Sequence, residues 1–168
     1  MGKCKVCGGN TLGDYEYCLK CKPSTGRQRG YAPQSRERPG LPSHCVFKDS
    51  FYEPDGYLKR EVNIEAAEAM SEILQRERMT QASIRNLFNS VNSIKMKLKT
   101  DRDLPSGFIR ENFLKFVTQV EYQSKRDVIP EIFRIFVEIH TDLVVKDKKE
   151  FLGFADYLTA IVARMKQK

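Results

Sequence analysis

The chain has 168 residues, 40% of them hydrophobic and 30% charged, with a net charge of +7. This balance describes a globular chain rather than a disordered one, long enough for one domain and a small appendage. It contains no apolar run near the roughly 20 residues that cross a bilayer, and its first residues, Met1 to Val6, lack an apolar signal core. Gly2 is followed by Val6 where a myristoylation signal has Ser or Thr, so the expected location is the cytoplasm.

In a reducing compartment, paired cysteines hold metal more often than they form disulfides. Four of the five cysteines form two pairs, Cys4-Lys-Val-Cys7 and Cys18-Leu-Lys-Cys21. A two-residue spacer lets both thiolates of a pair reach one ion, and Gly8 and Gly9 suit the tight turn after the first pair. Two such pairs predict a structural Zn2+ site with Cys4, Cys7, Cys18 and Cys21 as ligands. With four sulfur ligands the ion has no open position, so it would fold a module rather than catalyse. The minor alternative is a redox CxxC, which normally belongs to a βαβ setting that this sequence lacks. Cys45, beside His44, reads as a buried or idle thiol rather than a fifth ligand.

Prolines 23, 33, 39 and 42 and three glycines mark residues 23–43 as a linker, which also carries Arg27, Arg29, Arg36 and Arg38. Residues 1–40 hold eight Lys/Arg and three Asp/Glu, a net of +5, which leaves +2 for the remainder. Such an arm either engages phosphates or is a solvated spacer. The aromatic stretch Val46-Phe47 and Phe51-Tyr52 precedes a turn at Asp55-Gly56 and is expected to pack across the domain that follows.

From there the pattern is helical to the end. A first helix is predicted over about 63–78, with Ile64, Ala67, Met70, Ile73 and Leu74 on one face. Thr80 is placed as the N-cap of a second, whose core stripe is Ile84, Leu87, Phe88, Val91, Ile94 and Leu98. A loop with Pro105 and Gly107 opens a third, with Ile109, Phe113, Phe116, Val117 and Val120 inward. Pro130 suits the first turn of a fourth, carrying Phe133, Phe136, Val137, His140 and Val144. Asp147 and Glu150 form a capping-box-like start for the fifth, with Phe151, Phe154, Leu158, Ile161, Val162 and Met165. The predicted fold class is therefore all-α, a five-helix bundle preceded by a Cys4 zinc unit and a flexible basic linker. The division is 1–25 for the zinc unit, 26–56 for the linker and docking segment, and 57–168 for the helical domain.

No Walker phosphate loop, His-Glu-x-x-His or nucleophile elbow occurs, so an enzyme is not expected. His140 lies on an apolar stripe and reads as a satisfied core histidine. Two polar stripes are more informative. Arg85, Asn89, Asn92 and Lys99 recur on the second helix, and Lys115, Gln119, Tyr122 and Arg126 on the third. Cations interleaved with amides and an aromatic suit a phosphate–sugar backbone, although a charged stripe is also the ordinary wet face of a helix.

At these stripes the chain resembles a family. Thr80-Gln-Ala-Ser-Ile-Arg-Asn-Leu-Phe88, the stretch from Lys115 through Tyr122-Gln-Ser-Lys-Arg126, and Phe154-Ala-Asp-Tyr-Leu-Thr-Ala-Ile-Val-Ala163 are similar to segments of the small subunit of type III-A CRISPR effector (Csm) complexes. The likeness covers about residues 60–168. It implies a non-catalytic helical subunit, several copies of which hold a guide–target RNA duplex by its backbone beside other subunits. By position, Arg85 and Arg126 correspond to basic residues of those segments and Tyr122 to an aromatic one. Asn89, Lys99 and Lys115 complete the candidate RNA-binding set. The sequence departs from the family at Thr159 and Arg164, where an acid and an aromatic are usual, and in its four-cysteine unit. The competing readings are a zinc-ribbon adaptor that binds protein and no RNA, and a metal-dependent enzyme with the helices as scaffold, against which a four-thiolate site argues.

Overall fold

A computed structural model describes residues 3, 5–7, 40–101 and 103–165. The chain divides into two units, Met1–Glu37 and Arg38–Lys168. In the first, Cys7 is exposed, whereas Cys4, Cys18 and Cys21 lie outside the described residues. The second unit is helical: α1 (Arg60–Asn63), α2 (Glu65–Arg76), α3 (Gln81–Thr100), α4 (Phe108–Lys125), α5 (Glu131–Val144) and α6 (Lys148–Arg164). Among the described residues of this unit the only extended pairing is an isolated antiparallel bridge, Tyr52 with Leu58. The all-α class with five long helices agrees with the hydrophobic period.

α6 is the axis of the bundle. Phe151, Phe154, Tyr157, Leu158 and Ile161 are fully buried on it, and α1, α2, α3 and α5 all pack against it. α4 bridges α3 and α5. Antiparallel α3 and α6 are tied at three levels: Lys148 Nζ to the Leu98 carbonyl (3.0 Å), Lys95 Nζ to Asp156 Oδ1 (2.5 Å), and Gln81 Nε2 to the Met165 carbonyl (2.9 Å).

Capping explains the helix limits. Thr80 accepts the Ser83 N–H at 3.1 Å, as the sequence predicts for an N-cap. α2 and α4 both end in Schellman turns. The Met79 N–H returns to the Leu74 carbonyl and that of Val128 to Gln123, each across a residue with positive φ, Arg78 (62°) and Asp127 (55°). Neither is glycine, so no ordinary stop signal marks these two ends. Pro130 precedes α5 as its N-cap instead of occupying the first turn.

The first predicted helix differs more. It is two helices, because Ile64 leaves the helical region (φ −118°, ψ −82°) between α1 and α2. The break lets Val62 be buried from α1 while Ala66, Ala67, Met70 and Leu74 face inward from α2. Ile64, expected in the core, is instead 38% exposed.

Residues 41–59 form a strap over the bundle. A 3-10 turn at Ser43–Cys45 packs against α2, and Phe47 and Phe51 enter a cluster with Phe136, His140, Phe154 and Tyr157. Phe51 approaches α6 because Gly153 leaves it room: a Cβ there would stand 2.6 Å from Phe51 Cβ. That atom is fixed to backbone and cannot swing away.

Polar groups hold the strap as well. The Phe51 N–H donates to Glu150 Oε2 (2.9 Å) and Ser50 Oγ to Oε1 (2.6 Å), while Tyr157 Oη–H donates to the Cys45 carbonyl (3.3 Å). The capping box expected at Asp147 and Glu150 is thus only half formed. Asp147 Oδ1 accepts the Glu150 N–H at 2.9 Å, but the Glu150 carboxylate turns away from its own helix start to the strap. Burial explains the choice, since Glu150 is only 6% exposed and two strap donors satisfy it there.

Candidate nucleic-acid interface

Charge in the helical unit is sorted by helix. α3 carries Arg85, Lys95, Lys97 and Lys99 and no acid over its 20 residues. α2 sets Glu65, Glu68 and Glu72 against Arg76, and α5 sets Glu131, Glu138 and Asp142 against Arg134. Lys95 is drawn into the ion pair with Asp156 and is largely covered. Among the described residues no carboxylate pairs with Arg85, Lys97 or Lys99, all of which are exposed.

The two predicted stripes lie on different seams. Ser90 Oγ, 3.2 Å from the Asn86 carbonyl, also lies 3.4 Å from Gln119 Oε1 on α4, and Ser83 Oγ donates to the Val128 carbonyl at 3.4 Å. These contacts make α3 and α4 antiparallel and fix their facing sides. At 100° per residue, Ser90 sits about 140° around α3 from Arg85, about 160° from Asn92 and about 180° from Lys99. Arg85, Asn92 and Lys99 therefore share the side of α3 that bears Lys95 and borders α6. Asn89 lies between the two seams, exposed.

The α4 stripe instead overlooks the α3–α4 seam. Lys115 and Gln119, like Tyr122 and Arg126, lie within about 60° of one another around α4. Across the seam Ser90 meets Gln119, and Asn86 and Lys97 lie within about 40° of Ser90 around α3, which periodicity alone does not single out. Each stripe can be phased against the core of its own helix, but only the contacts of Ser90 with Gln119 and Ser83 with Val128 reveal which side of α3 faces α4. On the far seam, Lys99 joins Leu98, Leu104, Phe108, Lys148 and Leu152 around a cleft of about 670 Å³.

Individual groups differ in readiness. Lys115 Nζ is 2.6 Å from Glu111 Oε1, with both side chains 67% exposed, and the hydrogen bond and charge of Lys115 hold the Glu111 carboxyl below its ordinary pKa. An exposed i,i+4 pair of this kind is weak in water and yields easily to a stronger anion. Tyr122 stands 60% exposed, its hydroxyl accepting from Arg126 Nη1 at 2.8 Å, with the guanidinium carbon 5.3 Å from the ring centre. Arg134, by contrast, is committed to Glu131 and Glu138 and is held above its already high pKa by those bonds.

His140 holds no place in this surface. Its Nε2 accepts the Phe47 N–H (3.1 Å), so Nδ1 carries the proton and donates to the Phe136 carbonyl (2.7 Å). Desolvation lowers its pKa to about 4, which makes it the satisfied core histidine the sequence suggests. Cys45 is buried too, its Sγ directed at the Ala66 carbonyl (3.8 Å), and burial raises its pKa. Among the described residues no cluster of three or more His, Cys, Asp or Glu is arranged to hold an ion. No described helix is long and apolar enough to cross a membrane.

These features define a class: a small all-α bundle, cationic along one helix and acidic along two others. The family described as Csm2 Type III-A matches residues 58–167, and the chain belongs to it, as the small subunit of a type III-A CRISPR complex. No curated protein and no solved structure matches the chain.

Proposed function

We propose that the helical unit is a non-catalytic, cytoplasmic subunit that holds guide and target RNA by the backbone, next to further copies of itself and other subunits of the complex. The observation that carries this reading is α3, a 20-residue helix with no acid and with Arg85, Lys97 and Lys99 unclaimed by any described carboxylate. A subunit that must accept any guide sequence has to contact phosphate and sugar, since base edges would impose a sequence. Amides at Asn86, Asn89, Asn92 and Gln119 suit the 2′-hydroxyl, which both donates and accepts. Arg85, Lys115 and Arg126 supply charge along the two seams, and Lys99 extends it toward α6.

Charge reversal tests this. Arg85→Glu, Lys115→Glu and Arg126→Glu each change an exposed side chain, so the melting curve should hold. RNA affinity should fall uniformly across sequences. The slope of log K against log salt should shrink by about 0.7–0.9 for each phosphate that the variant no longer neutralises. A normal melt with unaltered RNA affinity and salt slope refutes the reading. Binding to the complex that ignores salt altogether supports the protein-only adaptor.

The four-cysteine unit is proposed to bind a structural Zn2+ through Cys4, Cys7, Cys18 and Cys21, on the chemistry of that donor set. The ion would supply folding free energy to a segment too short to bury a core. Chelation is expected to release about one zinc per chain and unfold the N-terminal unit, while the helical transition in circular dichroism survives. Collapse of the whole chain on chelation contradicts this division of labour.

A further inference from the structure

Tyr122 is unusual among the aromatics of the helices. The other rings on α3–α6 are buried or partly buried, yet Tyr122 is 60% exposed on the shoulder of the α3–α4 seam. It is also restrained. Arg126, one turn later, bonds its hydroxyl at 2.8 Å and brings a guanidinium to 5.3 Å from its ring centre. An exposed ring held in one orientation loses little rotamer freedom when something stacks on it. The surroundings favour an anion: the nearest acid on the helix, Glu121, is turned about 100° away and is engaged by Lys125 at 2.6 Å. The antiparallel register of Ser83 with Val128 and Ser90 with Gln119 sets Asn86 and Ser90 beside this part of α4, and α3 carries no acid.

We infer that the Tyr122–Arg126 pair is a preformed stacking platform for an unpaired RNA base. This rests on the RNA-binding reading and adds the ligand chemistry of one position. A base within a duplex has both faces covered by its neighbours, so a protruding ring meets a free π-face only where a base is unpaired or displaced from the stack. Arg126 serves twice, fixing the ring and facing the phosphate adjoining the displaced base. Nothing at Tyr122 selects one base over another, because every base offers a face.

The test uses the full-length protein and two RNAs of equal length, a perfect duplex and the same duplex with a single unpaired 2-aminopurine. Wild type should bind the bulged RNA about tenfold more tightly and change the fluorescence of its 2-aminopurine. Tyr122→Phe should keep most of that preference. Tyr122→Leu should bring the ratio of the two affinities near one and abolish the fluorescence change, with an unchanged melting temperature as evidence of folding. Equal affinities in wild type, with salt-dependent binding to both RNAs, overturn the platform and leave backbone binding standing. No salt-dependent binding to either RNA overturns both. A preference that survives Tyr122→Leu assigns the unpaired base elsewhere and also overturns the platform.

Discussion

A chain that begins at residue 58, where the family match starts, is expected not to fold, whereas one that begins at residue 40 should melt close to the full-length protein. The difference is the strap. Phe51 is fully buried and Phe47 is 9% exposed, and the surfaces they cover belong to Phe136, His140, Phe154 and Tyr157. Removing one buried Phe side chain costs about 3–5 kcal/mol, and losing both, whose rings touch at 5.4 Å between centres and so do not add independently, costs more than either alone. That is comparable with the whole stability of a typical domain, about 5–15 kcal/mol. Deletion also strips the Glu150 carboxylate of its Ser50 and Phe51 donors and the Tyr157 hydroxyl of the Cys45 carbonyl. Gel filtration and thermal circular dichroism on the two truncations settle the matter. Cooperative melting of the shorter chain within a few degrees of the full-length protein shows that the strap is dispensable.

The strap also places the family match in proportion. The match covers residues 58–167, but the core of this chain begins with Leu41 and Cys45.

Much of this was legible in the sequence, and the omissions have physical causes. The cores of α3, α5 and α6 follow from a 3.6-residue period because each helix buries one continuous stripe. His140 is readable because its neighbours on that stripe are all apolar. Ile64 misleads because periodicity continues smoothly across the break between α1 and α2. Gly153, a glycine inside a helical pattern, is the one available sign of a close approach, and it points to Phe51. Glu150 misleads because a capping box is a local rule, and a partner about 100 residues away overrides it. The charge polarity is hidden in a total of +2, since acids on α2 and α5 cancel the cations of α3 in the sum but not in space. The facing of the two stripes depends on which helices are neighbours, which no single helix encodes.

Acidification is expected to destabilise the helical unit between pH 6.5 and pH 4 through His140, which is buried in the strap cluster. The surrounding rings of Phe47, Phe51, Phe136, Phe154 and Tyr157 offer no counter-charge, and desolvation lowers the imidazole pKa to about 4 despite the opposing bond to the Phe136 carbonyl. In the unfolded chain the group titrates near 6.5. The unfolded state therefore holds the extra proton across this window, and stability rises with pH. The contribution is complete above about pH 6.5, falls as pH drops, and is exhausted below about 4. A gap of this size corresponds to roughly 3 kcal/mol. Protonation would also put an N–H on Nε2 against the Phe47 N–H, two donors at 3.1 Å, so the strap should loosen first. Urea titrations from pH 7 to pH 4.5 should show this loss in wild type and a much flatter profile in His140→Gln, whose amide keeps an acceptor for Phe47 without titrating. Parallel profiles for the two proteins would place the acid sensitivity elsewhere, and an acid-stable wild type would mean that water reaches His140 through the strap.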